Sequence, residues 1–148
     1  GAATLTLTGA NSYEGATLVS TGVLATVGNG VLRNNSSGYM IASGATLSVG
    51  GLETLDTLTN NGTLLLNGGT VTTGTGDADT SLTGAVTGTG FLKLSGATND
   101  IDVSKLSLSG EGGAPYTLTT SSVEITSGTM APREISLGFT KCLYMSTG

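Results

Sequence analysis

The stretch Leu58-Thr59-Asn60-Asn61-Gly62-Thr63-Leu64-Leu65-Leu66-Asn67-Gly68-Gly69 decides the fold class. Apolar side chains stand two apart at Leu64 and Leu66, and each short run is closed by Asn and Gly. A helix would return its apolar residues every three or four positions, whereas a spacing of two is that of a strand with one face buried. Asn and Gly accept positive φ, so they mark sharp corners between strands and not long loops.

The same pattern recurs outward from this stretch. Leu5-Thr6-Leu7, Leu47-Ser48-Val49, Leu92-Lys93-Leu94, Leu106-Ser107-Leu108, Val123-Glu124-Ile125 and Ile135-Ser136-Leu137 repeat it. Residues around Val19, Leu24 and Val31, and Leu82 or Val86, fill the wider gaps. The spacing predicts a unit of roughly 14–21 residues, near the short repeats of solenoids. A hairpin-built sandwich also brings strands at short intervals, and Asn-Gly closes a hairpin as readily as a solenoid corner. The inward set favours the solenoid. It is almost wholly Leu, Val and Ile, with 4 Tyr and 2 Phe in the chain, whereas sandwiches usually carry larger aromatics between their sheets.

Composition supports an all-β reading and removes several functions. Gly, Thr and Ser fill 68 of 148 positions, where a helical surface would need Glu, Lys, Arg, Gln and Ala; Gln is absent altogether. Leu, Val and Ile number 33, too many for a disordered Gly/Ser linker. Five cations against ten carboxylates, a net charge of −5, cannot neutralise a run of phosphates, so no nucleic-acid partner is expected. Without His there is no ordinary zinc site and no Ser-His or Cys-His pair. No apolar run is long enough to cross a membrane as a helix, and a single cysteine, Cys142, excludes an internal disulfide framework. The first residues already read as a strand, so a leader has been removed or the chain is part of a longer one.

Leu5-Thr6-Leu7-Thr8-Gly9-Ala10-Asn11-Ser12-Tyr13-Glu14-Gly15-Ala16-Thr17, followed by Gly22-Val23-Leu24, resembles the passenger-associated repeat of bacterial autotransporters. Ser43-Gly44-Ala45-Thr46-Leu47, Leu58 to Leu64 and Gly88-Thr89-Gly90-Phe91-Leu92 are similar to the weaker repeats that follow it in those proteins. The resemblance implies a right-handed parallel β-helix exported to the surface of a Gram-negative cell. It implies no single activity, since such rods carry adhesins, proteases, toxins and plain stalks.

The expected architecture is therefore all-β: a single-stranded right-handed parallel β-helix, or β-solenoid, of about eight short rungs over residues 1–128. Residues 129–148 depart from the pattern and concentrate Met, Phe and cations. They are expected to form a cap, or a segment joining one subunit to the next, because a solenoid end exposes unpaired edges and apolar rung atoms. Ile135, Leu137, Phe139, Cys142, Leu143 and Tyr144 are the candidate self-association residues.

Chemistry is sparse. Carboxylates form near pairs at Glu53/Asp56, Asp77/Asp79 and Asp100/Asp102, as glycoside hydrolysis would need, but Lys93 and Lys105 are the only cations near the last pair. Solvated turn carboxylates are the plainer reading. Asp77 and Asp79 are the weak candidates for a metal, calcium by their oxygen ligands, although the glycines of a calcium-binding β-roll do not precede them. Thr-x-Thr recurs at 4/6/8, 57/59, 70/72, 73/75, 87/89 and 117/119; stacked flat it could order water, but Thr is also ordinary outward strand filler. Cys142 reads as buried and inert. The expected function is a structural one, an extracellular stalk or adhesive module with no catalytic residues and no cofactor. Its partners would be copies of itself or a host or cell-surface ligand. A self-assembling filament subunit is the alternative, and a polysaccharide-acting β-helix enzyme the third.

Overall fold

Alternating aliphatic residues with Gly and Asn at the corners wind this chain into a three-faced coil. The computed structural model describes residues 3–32, 38–73, 80–94, 99–102, 105–108, 116–118, 124–127, 135–137 and 144–145. Among them, the first two coils place strands on two faces only: β1 (Thr4–Leu7) and β2 (Thr17–Val19), then β3 (Val23–Thr26) and β4 (Tyr39–Ile41). Complete three-strand turns follow. They are β5 (Thr46–Val49), β6 (Leu52–Leu55) and β7 (Leu58–Asn60), then β8 (Thr63–Leu66), β9 (Thr70–Thr73) and β10 (Thr80–Leu82). The next are β11 (Ala85–Gly88), β12 (Phe91–Leu94) and β13 (Asn99–Asp102), then β14 (Leu106–Leu108), β15 (Tyr116–Leu118) and β16 (Glu124–Ser127). Two further strands, β17 (Ile135–Leu137) and β18 (Tyr144–Met145), lie beyond them.

Stacking the turns generates three sheets. Sheet A runs β1-β3-β5-β8-β11-β14, sheet B runs β2-β4-β7-β10-β13-β16-β18, and sheet C runs β6-β9-β12-β15-β17. Every neighbouring pair is parallel, from β1 with β3 to β16 with β18, which excludes a hairpin-built sandwich. Partners along sheet A (Thr4, Val23, Thr46, Thr63 and Ala85, then Val86 with Leu106) lie 17 to 23 residues apart, which sets the length of a turn.

The expectation of about eight rungs is corrected: the solenoid has about four complete turns. The miscount came from mixing faces. Leu5, Leu47, Leu64 and Leu106 all stand on sheet A, but Leu92 and Ile135 stand on sheet C and Ile125 on sheet B. Steps between runs on different faces are shorter than a turn, so they shrink the apparent repeat. The runs themselves are strands as read, except that Val123 lies outside the described residues.

The core is a set of inward rows running along the axis. On sheet A one row is Leu5, Leu24, Leu47, Leu64 and Val86, and another is Leu7, Thr26, Val49 and Leu66. On sheet B the row Val19, Ile41, Asn60 and Leu82 faces them, and on sheet C the row Glu53, Val71 and Leu92. Ile41, Val49, Leu55, Leu58, Leu64, Leu66, Val71, Leu82 and Val86 are fully buried. Thr was expected outward, yet Thr26, Thr73 and Thr80 are buried too, and the Thr73 and Thr80 hydroxyls bond each other at 2.8 Å. A β-branched residue fits an inward position once its hydroxyl finds a partner. Asn60 is likewise buried inside a corner, where its Nδ2 donates to the Ala85 carbonyl (2.9 Å) and its Oδ1 accepts from the Gly62 N–H (3.2 Å).

Candidate functional site

The described part of the chain concentrates its unusual polar chemistry near its first two turns, where sheet C has not yet started. Between β3 and β4 the sequence Gly28-Asn29-Gly30 bends in place of a strand, with φ of 106° at Gly28 and 60° at Gly30. Strand β6 is therefore the edge of sheet C, and such an edge offers unpaired amides to any passing chain. Here the bend covers it. Asn29 Oδ1 accepts the Leu52 N–H at 2.9 Å, and the Gly30 N–H donates to the Leu52 carbonyl at 2.7 Å.

Glu53, the next residue on β6, completes the cover from inside. It is 2 % exposed, and its two carboxylate oxygens accept the backbone N–H groups of Val31 and Leu32, each at 3.0 Å. Those amides would otherwise be buried without a sheet partner, at a cost of about 1–3 kcal/mol each. Burial raises the pKa of Glu53 above the ordinary carboxylate value, and the Leu32 and Val31 amides oppose this by favouring the charged form. The Thr26 hydroxyl favours it as well without reaching a full hydrogen bond; among the described residues it is the buried side-chain polar atom left with no partner.

A raised folded-state pKa means that stability from Glu53 is present below the ordinary carboxylate pKa of about 4.3 and is lost as pH rises through the folded value. Wild-type protein should therefore gain thermal stability relative to Glu53→Gln as the pH is lowered from neutral toward that range. Circular-dichroism melts of both proteins across this interval measure the gain. Curves that stay parallel would remove Glu53 from the account.

Next to this clamp lies a hydroxyl cluster. Thr17 Oγ1 donates to the Tyr13 hydroxyl at 2.8 Å, and the Tyr13 and Tyr39 hydroxyls lie 3.4 Å apart. Tyr39 is 3 % exposed, and burial first, then its bond to Tyr13, pushes its pKa well above the usual phenol value, so it stays neutral. Beside the cluster lies a cleft of about 330 Å³, lined by Leu5, Leu7, Val19 and Leu24 among others. Along the first inward row Leu64 and Leu47 are covered, whereas Leu5 is 62 % exposed.

Among the described residues, exposed apolar side chains stand on the outer faces of sheets B and C. Leu18 and Met40 are ladder partners on sheet B and both are exposed. On sheet C, Leu52 and Phe91 are exposed on either side of Thr70. The Thr-x-Thr pattern does not build ranks. Outward on sheet A, Thr6 is followed by Ala25, Ser48, Leu65 and Thr87, and on sheet C the row from Thr54 and Thr72 meets Lys93. Among the described residues, Thr lines no continuous flat surface that could order water.

The carboxylate pairs do not converge either. Glu53 faces the core while Asp56 is half-buried at the following corner. Asp100 and Asp102 belong to β13 on sheet B, whereas Lys93 is on sheet C and Lys105 precedes β14, its Nζ donating to the Thr83 carbonyl at 2.7 Å. The metal candidates Asp77 and Asp79 lie outside the described residues, and among those described no cluster of three metal-ligating side chains occurs. Of the self-association candidates, Ile135 and Leu137 lie on β17, paired with β15, and Tyr144 lies on β18, paired with β16. Phe139, Cys142 and Leu143 lie outside the described residues. No helix among the described residues is long and apolar enough to cross a membrane.

The edge clamp was invisible in the sequence, because Glu53 looks like any other strand carboxylate until the missing strand opposite it is seen. The comparisons with known proteins agree with this architecture. Residues 1–25 match the family described as passenger-associated-transport-repeat. Over 117 residues, 74 % of this chain, the sequence is 36 % identical to the adhesin BmaC autotransporter of Brucella suis biovar 1 (strain 1330). The matched region spans 3 % of that protein's length. No solved structure matches the chain.

Proposed function

Since this chain is an autotransporter passenger repeat domain, placed outside the cell or on its surface, we propose that it acts there as a rigid adhesive module without chemistry of its own. The observation that carries this reading is the exposed apolar ladder pair Leu18–Met40, with Leu52 and Phe91 exposed on either side of Thr70 on sheet C. Exposed apolar side chains grouped on a regular sheet face suit contact with a partner. The partner class is a host or cell-surface ligand, in keeping with the Brucella relative's name as an adhesin. We take the coil to be right-handed, as about 98 % of crossovers between parallel strands are.

Fluorescently labelled chain added to cultured host cells tests the reading. Binding should be saturable and should fall several-fold when Leu52 and Phe91 are both changed to Ser, changes that leave the core rows intact. Binding equal for both proteins, or none above a control solenoid, would overturn it.

A second reading is end-to-end assembly of copies along the ladder direction of the three parallel sheets. In this reading residues 129–148, with Ile135, Leu137, Phe139, Cys142, Leu143 and Tyr144, form the joining segment. Light scattering and electron microscopy should then show filaments that disappear when 129–148 are deleted. A monodisperse monomer in both preparations would leave the adhesive module alone.

A further inference from the structure

Three Asn-Gly steps fall among the described residues, at Asn29-Gly30, Asn61-Gly62 and Asn67-Gly68, and each closes a corner. Asn-Gly is the step at which a backbone nitrogen most easily reaches the preceding side-chain amide, because Gly offers no side chain to block the approach. The fold treats the three steps differently. At the first, Asn29 Oδ1 accepts from Leu52 N and the Gly30 N–H donates to Leu52 O. At the second, Asn61 Oδ1 accepts from Thr83 Oγ1 at 3.0 Å and the Gly62 N–H donates to Asn60 Oδ1. In both, the electrophilic amide and the attacking nitrogen are held by other groups. At the third, Asn67 and Gly68 are exposed residues, and neither the Asn67 side chain nor the Gly68 N–H makes a hydrogen bond among the described residues. Gly68 has φ +77°, and the space where a Cβ would stand is empty to 4 Å.

We propose that Asn67 is the site of spontaneous deamidation in the folded protein. Solvent base removes the Gly68 amide proton, and the nitrogen attacks Asn67 Cγ, forming a C–N bond that closes a succinimide ring. The Cγ–Nδ2 bond breaks and the nitrogen leaves as ammonia. Water then opens the ring at either carbonyl, leaving aspartate or isoaspartate at position 67. The balance is one water consumed and one ammonia released, with no change of oxidation state. The net charge moves from −5 to −6. Isoaspartate also lengthens the main chain by one methylene beside the ladder bond from Asn67 N to Val49 O (2.8 Å).

Incubating the folded full chain at mildly alkaline pH, then digesting it and mapping the peptides by mass spectrometry, tests the assignment. The Asn67 peptide should gain the mass of OH in place of NH2 at least about tenfold faster than the Asn29 and Asn61 peptides, whose steps must first break their hydrogen bonds. The same chain in urea should deamidate at all three steps at similar rates. Asn67→Gln should abolish the early-modified peptide with an unchanged circular-dichroism spectrum. Equal rates at the three sites in the folded protein, or a slower rate at Asn67, would overturn the proposal whatever the chain binds.

Discussion

Leu64→Ala should lower the free energy of unfolding by roughly 2–5 kcal/mol, the range for removing a buried Leu side chain and leaving a cavity. Leu64 is 0 % exposed in the middle of the row Leu24, Leu47, Leu64, Val86. Its neighbours in that row cannot close over the gap, because backbone ladders fix them about 4.8 Å above and below. Leu5→Ala, in the same row but largely exposed, should cost under about 1 kcal/mol, since little of its side chain leaves water. Urea titration of both variants measures the contrast. Equal losses at the two positions would mean that the rows are not the core.

Gly88→Ala should be of similar size, roughly 2–6 kcal/mol, although it adds an atom instead of removing several. Gly88 ends β11 with φ +112°, a conformation that side chains other than hydrogen rarely take. A Cβ there would run into the Leu66 carbonyl oxygen of the turn before, the oxygen that accepts the Thr89 N–H at 2.8 Å. The backbone of one turn can relieve the collision only by moving off the other, and that loosens sheet A between β8 and β11. The denaturation midpoint should fall without a change in slope. A variant as stable as wild type would show that this corner is free to rearrange.

Much of the fold was legible because ladder and core depend on the same period of two. Leu47-Ser48-Val49 and Leu64-Leu65-Leu66 place their first and last residues inward with no competing helical period, and Gly50-Gly51 and Asn67-Gly68 stop the two runs. The turn count was not legible. The faces differ only in which corner precedes them, and Leu92 on sheet C looks like Leu64 on sheet A. The buried polar residues were also hidden. Thr73 and Thr80 turn inward with their hydroxyls bonded to each other, and Thr26 turns inward in the row between Leu7 and Val49; neither is written in the local pattern. Glu53 is the clearest case: its role is defined by amides 22 and 21 residues earlier, at Val31 and Leu32. The outward apolar rows needed the register as well, since Leu18 and Met40 are neighbours only once β2 lies on β4.

The spacing of 17 to 23 residues between ladder partners also fixes how such a rod yields when pulled along its axis. The strands lie across the pulling direction, so load falls on one row of hydrogen bonds at a time and the chain peels like thread from a spool. At about 3.3–3.6 Å of extended chain per residue, each turn shed would release roughly 55–85 Å of slack. A coil built this way would lengthen in steps under load while the turns behind the peeling front keep their shape.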